Sequence, residues 1–234
     1  MEFENNQGAI KMAGTATMNK IITKVFKWMF LGLIVSAISA VVSMNLLVSG
    51  ALPVNMIYVA MLAELILVIV LVARIQKMSA GAASTCFLVY SIMNGLTLAP
   101  MLLIYEVGDV SLAFVSAAAM FGAMALIGAK SKKDLSNFGS IGLMLLIGCI
   151  ITTILNVLIF KSTGLELALL YMGLAIFAGI TMYDMQKIKL FAIEAEQSGD
   201  ETTIRRVVIL SALTLYLDFI NIFIRLVQLF GRRK

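Results

Sequence analysis

Seven long apolar runs divide this sequence, and they constrain its fold more than any other feature. A helix needs about 20 mostly apolar residues to cross a hydrocarbon layer of about 30 Å, and each run is about that long. Open sheet edges would leave backbone groups unpaired in lipid, so the runs predict transmembrane helices. The predicted spans cover residues 26–48, 53–73, 80–104, 110–129, 139–160, 165–188 and 204–230.

The composition is that of an integral membrane protein. Hydrophobic residues make up 61% of the chain and charged residues 13%, whereas soluble domains average about 25% charged. We therefore predict a polar N-terminal tail over residues 1–24 and a single seven-helix transmembrane domain over residues 25–234. The tail lacks the apolar core of a signal peptide, so the first span is expected to remain as a permanent helix.

The basic residues predict the orientation of the chain. Thirteen lysines and arginines lie in the N-terminal segment up to Lys27 and in or beside the even-numbered links, whereas the odd-numbered links contain only Lys161. The positive-inside rule then predicts a cytoplasmic N-terminus. Seven spans would place the C-terminal GRRK outside, so either this tail is a tolerated exception or the last helix does not fully cross. Because the basic groups are scattered between the spans, the net charge of +5 does not indicate a nucleic-acid partner.

Ionisable residues inside the spans are the functional candidates. A charge near the bilayer centre costs at least about 2.5 kcal/mol, so such residues usually face the interior of a helical bundle and mark a transport or proton path. Asp218, in LYLDFINIF, belongs to a polar seam at intervals of three and four residues, which places the seam on one face of the last helix. We expect this helix in the middle of the bundle. The seam consists of Ser211, Thr214, Asp218, Asn221 and Arg225.

Asp184, in ITMYDMQKIK, is the predicted partner of Asp218. A turn near Gly199 and Asp200 would bring the two aspartates to similar depth. Two carboxyl groups within hydrogen-bonding distance cannot both ionise cheaply, so such a pair would share a proton over some interval of pH. Alternatively, Asp184 is an ordinary residue of the membrane interface. The chain contains no histidine, so a physiological pH response would have to come from carboxyl groups.

Other polar residues leave alternatives open. Glu64 is either a carboxylate of the transport path or a hydrogen-bonding strut to a neighbouring helix, and Arg74 either latches Asp184 or is a positive-inside residue. Asn94 and Asn156 predict interhelical hydrogen bonds. Both cysteines lie in apolar runs and predict no disulfide, and no resident cofactor is expected, whereas the sequence leaves a metal site open.

Two segments carry a family resemblance. MYDMQKIK at 182–189 and LYLDFINIFIRL at 215–226 resemble the Bax inhibitor-1 family in its bacterial branch, as do NGLTLAP at 94–100 and GAKSKKDLSNFGS at 128–140. The resemblance implies two three-helix layers around a central C-terminal helix. It also implies a pH-sensitive calcium leak. In that family the residues matching Asp184 and Asp218 form a di-aspartyl pH sensor, an arginine matching Arg74 is its latch, and Glu64 matches an acidic residue of the second helix.

The leading functional expectation is a passive, proton-modulated calcium leak in the bacterial inner (plasma) membrane, with no enzymatic activity. Its expected partners are the lipid bilayer and calcium ions, because carboxylate oxygens suit a hard cation. One alternative is a regulatory protein whose N-terminal tail binds a membrane-bound quality-control protease. Another is an intramembrane aspartyl protease. It is disfavoured because Asp218 follows Leu215, Tyr216 and Leu217 instead of a Gly-x-Gly segment.

Overall fold

The structure, a computed structural model, describes the backbone of residues 2–231 and the side chains of residues 18–75 and 77–231. Within this part of the chain there are seven helices long and apolar enough to span a membrane, and no strand. Most side chains of the predicted polar tail and the last three residues of GRRK lie outside the described residues. The helices are α1 (Glu2–Val48), α2 (Val54–Arg74), α3 (Ala80–Leu103), α4 (Val107–Lys130), α5 (Ser136–Leu155), α6 (Thr163–Ser198) and α7 (Glu201–Phe230).

The predicted seven-span, all-helical fold is confirmed, with two clear differences in length. α1 begins at Glu2 and not near residue 26, so the helix extends through the predicted polar tail. The second difference concerns α6. The apolar run of the sixth span ends near residue 188, but α6 continues to Ser198. The added segment, FAIEAEQS, is rich in alanine and glutamate, which favour helix formation whether or not lipid surrounds them. Hydropathy therefore underestimates the length of this helix.

Local signals fix the turn between α6 and α7. Gly199 has a φ of 65°, a left-handed conformation that glycine adopts without strain. The Asp200 carboxylate then accepts hydrogen bonds from the backbone N–H groups of Thr202 and Thr203 at 3.1 and 2.9 Å. This is an N-cap, which satisfies donors that the first turn of a helix leaves unpaired. The predicted turn at Gly199 and Asp200 is confirmed.

The contacts divide the described chain into two compact units. Unit 1 contains the described residues up to Leu103 together with Ile188–Tyr216. Its α3 packs against both α1 and α2. The backbone of Ser36 lies directly against Gly95, so the two helices approach more closely there than any side chain would allow. Phe87 is fully buried, with its ring edge-to-face with Trp28 and Tyr216 at centroid distances of 6.3 and 5.8 Å.

Unit 2 contains Ile104–Lys187 and the described residues from Leu217 onward. A second close helix approach occurs here, because the carbonyl of Met182 on α6 lies against Gly128 on α4. Phe219 on α7 packs edge-to-face with Phe114 and Phe121 of α4, at centroid distances of 5.4 and 5.8 Å. These rings and the close approach at Gly128 hold α4 against α6 and α7 within unit 2.

The exposure of the spans differs widely. In the most apolar stretch of 18 residues of each helix, the buried fraction of the residues is 67% in α7 and only 11% in α5. Large apolar side chains on α2 and α5, including Ile66 and Ile147, are exposed, as expected of surfaces that face lipid. α7 is thus the most buried of the spans among the described residues. The arrangement in two three-helix layers stays a prediction.

Candidate functional site

The two predicted aspartates line the same cavity of unit 2, which has a volume of about 730 Å³. On α6, Phe177, Ile180 and Asp184 face this cavity at positions i, i+3 and i+7. The same spacing on α7 presents a second face to it, consisting of Asp218, Asn221 and Arg225. Residues at this spacing share one side of a helix, so one face of each helix lines the cavity.

Asp218 is buried with part of its carboxyl group unpaired. The residue is 4% exposed, and its Oδ2 has no hydrogen-bond partner among the described atoms. The Thr181 hydroxyl, which donates to the Phe177 carbonyl at 2.7 Å, lies near the same carboxyl group, and the charge of Asp184 acts on that group. A buried polar atom without a partner costs free energy, about 1–3 kcal/mol or more for a charged group. Asp218 is therefore an exception among buried polar groups, which are usually hydrogen-bonded.

Asp184 is half-buried and has a cation nearby. Lys187, one turn along α6, exerts an attractive electrostatic effect on its carboxylate. The ammonium group of Lys187 also lies 5.6 Å from the centre of the Tyr183 ring. Asp184 thus interacts electrostatically with a basic side chain on its own helix and with the carboxyl group of Asp218.

Arg225 brings a positive charge to the same cavity. Its guanidinium lies 5.3 Å from the centre of the Phe177 ring, within the range of a cation–π contact. Its Nε has no hydrogen-bond partner among the described atoms. A Cβ on Gly173 would collide with this guanidinium, so the glycine provides the space that Arg225 occupies.

Only part of the predicted polar seam of α7 lies at this cavity. Asp218, Asn221 and Arg225 share the cavity, whereas Ser211 and Thr214 belong to unit 1. The Thr214 hydroxyl donates to the Leu210 carbonyl at 3.1 Å, and the Asn221 amide donates to the Leu217 carbonyl at 2.8 Å. Both side chains therefore bond to their own helix.

Glu64 is the centre of a second polar cluster, in unit 1. Its Oε1 accepts a hydrogen bond from the Asn94 amide at 2.6 Å, and its Oε2 accepts one from the Thr97 hydroxyl at 2.7 Å. The Asn94 carbonyl oxygen in turn accepts from the Tyr216 hydroxyl at 2.7 Å, which lies 2.7 Å from the Ser36 hydroxyl. The result is a chain of hydrogen bonds joining α1, α2, α3 and α7.

The two asparagine predictions have different outcomes. The interhelical hydrogen bonds predicted for Asn94 are confirmed, because it bonds to α2 and α7. The prediction for Asn156 is wrong. This side chain bonds to the backbone N–H and carbonyl of Ser162 at 3.0 and 3.1 Å, and so fastens the short connection between α5 and α6.

The predicted latch residue, Arg74, is the last residue of α2 and is exposed. It belongs to unit 1, whereas Asp184 belongs to unit 2. The latch between them stays a prediction. No group of three or more histidine, cysteine, aspartate or glutamate side chains that could hold a metal ion is present among the described residues.

Sequence reasoning missed the roles of Tyr216, Thr97 and Ser36. Tyr216 lies in an apolar run, where tyrosine is usually read as packing, and its partners come from α1 and α3. A signal was present in NGLTLAP, since Asn94 and Thr97 stand three residues apart and therefore face the same neighbour. Both of them donate to Glu64.

The fold and these clusters define the class: this is an integral membrane protein of seven helices with carboxyl groups inside its spans. Residues 18–234 match the model of the family described as Inhibitor of apoptosis-promoting Bax1. The chain therefore belongs to the Bax inhibitor-1 family, as its motifs predict.

Three relatives illustrate the breadth of the match. The chain is 40% identical over 222 residues to the inner membrane protein YbhL of Escherichia coli strain K12, covering 94% of each chain. It is 35% identical over 220 residues to an uncharacterized protein of Borreliella burgdorferi, covering 92% of this chain and 93% of that protein. It is also 38% identical over 176 residues to an uncharacterized membrane protein of Streptococcus pyogenes serotype M1, covering 75% and 74% of the two chains.

Proposed function

We propose that this protein is a passive, pH-sensitive leak channel for calcium, regulated by proton sharing between Asp184 and Asp218. The observation that carries the proposal is the shared cavity of the two carboxyl groups, in which Asp218 is 4% exposed and has an unpaired oxygen. The protein acts in the bacterial inner membrane with a cytoplasmic N-terminus, by analogy with its E. coli relative and by its distribution of basic residues.

Proton sharing supplies the regulation. Two carboxylates in a site of low dielectric repel each other, and a single proton removes one charge and supplies the hydrogen bond that an unpaired oxygen lacks. A second proton leaves both groups neutral and removes their attraction for a cation. The state of protonation therefore sets both the packing of α6 against α7 and the negative charge that faces the cavity.

The charges around the pair determine how it responds. Lys187 acts in favour of the ionised form of Asp184. Arg225 and Tyr183 are the remaining titratable groups that line the cavity. Arg225 lies seven residues from Asp218, about 10 Å along the helix axis, so its positive charge is set apart from the carboxyl pair. Calcium prefers carboxylate and carbonyl oxygens, which the aspartates provide where the cavity is most negative.

Calcium flux into proteoliposomes across a series of pH values tests the proposal. We expect flux that changes with pH in the wild type, and a loss of that pH dependence in both Asp184→Asn and Asp218→Asn. The matched control is Asp134→Asn, which removes an exposed carboxylate of unit 2 outside the spans and should leave the profile unchanged. Absence of flux at every pH would exclude the channel. An unchanged profile in both cavity variants would exclude the sensor.

A further inference from the structure

A second cavity, of about 400 Å³, opens in unit 1 among α1, α3 and α7. It lies where α3 begins at Ala80 and near the start of α7. Both helices begin at the same face of the membrane, because an even number of spans separates their first residues. The cavity is therefore at the boundary between the lipid headgroups and water.

Two cations from different helices line this cavity, namely Lys24 of α1 and Arg205 of α7. No acidic side chain is among the described residues that line it. The nearest carboxylate to Arg205 is that of Glu201, at 3.3 Å, and both side chains of this ion pair are largely exposed, at 65% and 84%. An ion pair so exposed to water contributes little and is readily exchanged for another anion.

The rest of the lining is suited to the upper part of a lipid. Val208 and Ile209 are buried apolar residues at its base. Trp28 forms one wall, with its ring held edge-to-face against Phe87 at a centroid distance of 6.3 Å. Tryptophan is enriched at the level of the lipid headgroups because its ring is apolar and its N–H is polar. The cavity thus combines positive charge with an apolar base.

We propose that this cavity binds the phosphate headgroup of an anionic phospholipid. Lys24 and Arg205 contact the phosphate oxygens, with the Arg205 guanidinium offering the planar pair of donors that suits phosphate. Trp28, Val208 and Ile209 contact the glycerol and the first carbons of the acyl chains. Basic pockets between transmembrane helices are a known way of recognising anionic headgroups. The apolar base favours a lipid phosphate over free phosphate, which has no apolar part to bury.

Gly81 provides a test that leaves the fold intact. It lines the cavity, and a Cβ at this position would meet open space. Gly81→Asp therefore places a negative charge at the cavity without a clash, and an acidic residue in the first turn of α3 favours the helix. Gly81→Ser is the matched control, because it adds a small side chain without charge.

The experiment is lipid binding to the purified full-length protein by native mass spectrometry, with dioleoyl phosphatidylglycerol as probe and dioleoyl phosphatidylcholine for comparison. We expect preferential binding of phosphatidylglycerol, reduced about fivefold for each of Lys24→Ala and Arg205→Ala, since each basic residue near an anionic headgroup contributes on that scale. Gly81→Asp should reduce binding and Gly81→Ser should not. Glu201→Gln should retain or strengthen it, because Arg205 is released from its ion pair.

Three outcomes would overturn the proposal. One is equal loss of binding in Lys130→Ala and Lys132→Ala, which remove exposed charges from unit 2. Another is wild-type binding by Gly81→Asp. The third is displacement of phosphatidylglycerol by inorganic phosphate with the same dependence on Lys24 and Arg205, which would assign the cavity to free phosphate. Each result is independent of whether the protein conducts calcium.

Discussion

Single polar atoms distinguish the two clusters of this protein. In the Glu64 cluster both carboxylate oxygens are hydrogen-bonded, whereas Asp218 Oδ2 and Arg225 Nε remain unpaired. A fully paired network rigidifies its surroundings. A partly paired network costs free energy, and proteins tolerate this cost mainly at functional sites. We therefore assign Glu64 the geometry of a strut between α2 and α3. A role for Glu64 in conduction stays a prediction.

Tyr216→Phe tests whether the Glu64 cluster stabilises unit 1. The change removes the hydroxyl that donates to Asn94 and lies beside Ser36, and it leaves the Asn94 carbonyl oxygen without this donor. We expect a loss of about 1–2 kcal/mol in the free energy of unfolding, measured by thermal or denaturant unfolding in detergent. Tyr171→Phe is the control, because this tyrosine is 55% exposed. An equal effect in both variants would contradict the assignment.

At the residue scale, the sequence predicts which side chains are unusual but not which partners they find. Asp218 stands out because its helix is otherwise apolar, and it is buried as expected. The predicted interhelical hydrogen bonds of Asn94 are confirmed, because an amide inside a span must find a hydrogen-bond partner in the protein. Asn156 is near a helix end, where the backbone of the connection supplies an equally good partner. Spacing along one helix does not distinguish these cases.

At the scale of helices, the sequence predicts the spans well because the bilayer fixes their minimum length. The end of α6 was not predicted, since helix propensity and not hydropathy determines it beyond residue 188. The contacts of α4 with α6 could not be predicted from the sequence either, because nothing in the sequence distinguishes Gly128 from Gly122. Only the structure shows that Gly128 lies against the Met182 carbonyl, whereas a Cβ on Gly122 would meet open space.

Gly128→Ala should separate α4 from α6. The added methyl group would collide with the Met182 carbonyl, and overpacking of this kind costs about 1–3 kcal/mol. Gly122→Ala on the same helix should be neutral or stabilising by up to about 1 kcal/mol, because alanine favours helix and nothing opposes its Cβ. Unfolding in detergent measures both variants. Equal stability of the two would show that the close approach is not required.

The start of α7 should depend on the ionisation of Asp200. Hydrogen bonds from the Thr203 hydroxyl and from the backbone N–H groups of Thr202 and Thr203 lower the pKa of Asp200 below its ordinary value of 3.8. A lowered pKa means that the carboxylate stabilises the folded helix end above pH 3.8, and that this stabilisation is lost as the pH falls through the lower, folded-state pKa.

Hydrogen exchange at Thr202 and Thr203 measures this effect. We expect Asp200→Ala to reduce the protection of these two amides at neutral pH, and wild-type protection to decline once the pH falls below 3.8. Asp134→Asn is the control, since its carboxylate accepts hydrogen bonds from Ser136 in another link. Unchanged protection in Asp200→Ala would show that the cap does not hold the first turn of α7.

At the scale of the whole molecule, the chain is divided into two compact units that share helices. α6 passes from unit 2 to unit 1 after Lys187, and α7 passes from unit 1 to unit 2 after Tyr216. The Glu64 cluster lies in the first unit and the aspartate cavity in the second. A sequence that reads as one continuous set of spans does not reveal this division, because it arises from contacts between helices distant along the chain.

The orientation of the whole chain is predicted from its basic residues and can be measured directly. Odd and even links must face opposite sides of the membrane if all seven helices cross, and the positive-inside rule predicts that the even links face the cytoplasm. We expect a cysteine introduced at position 161 in place of lysine to react with a membrane-impermeant maleimide added to intact cells. A cysteine in place of Lys132 should react only after permeabilisation.

The native cysteines Cys86 and Cys149 are replaced first, so that the maleimide reacts only with the introduced cysteine. Labelling of both positions from outside would mean that a helix between them does not cross. A reversed pattern would place the N-terminus outside the cytoplasm.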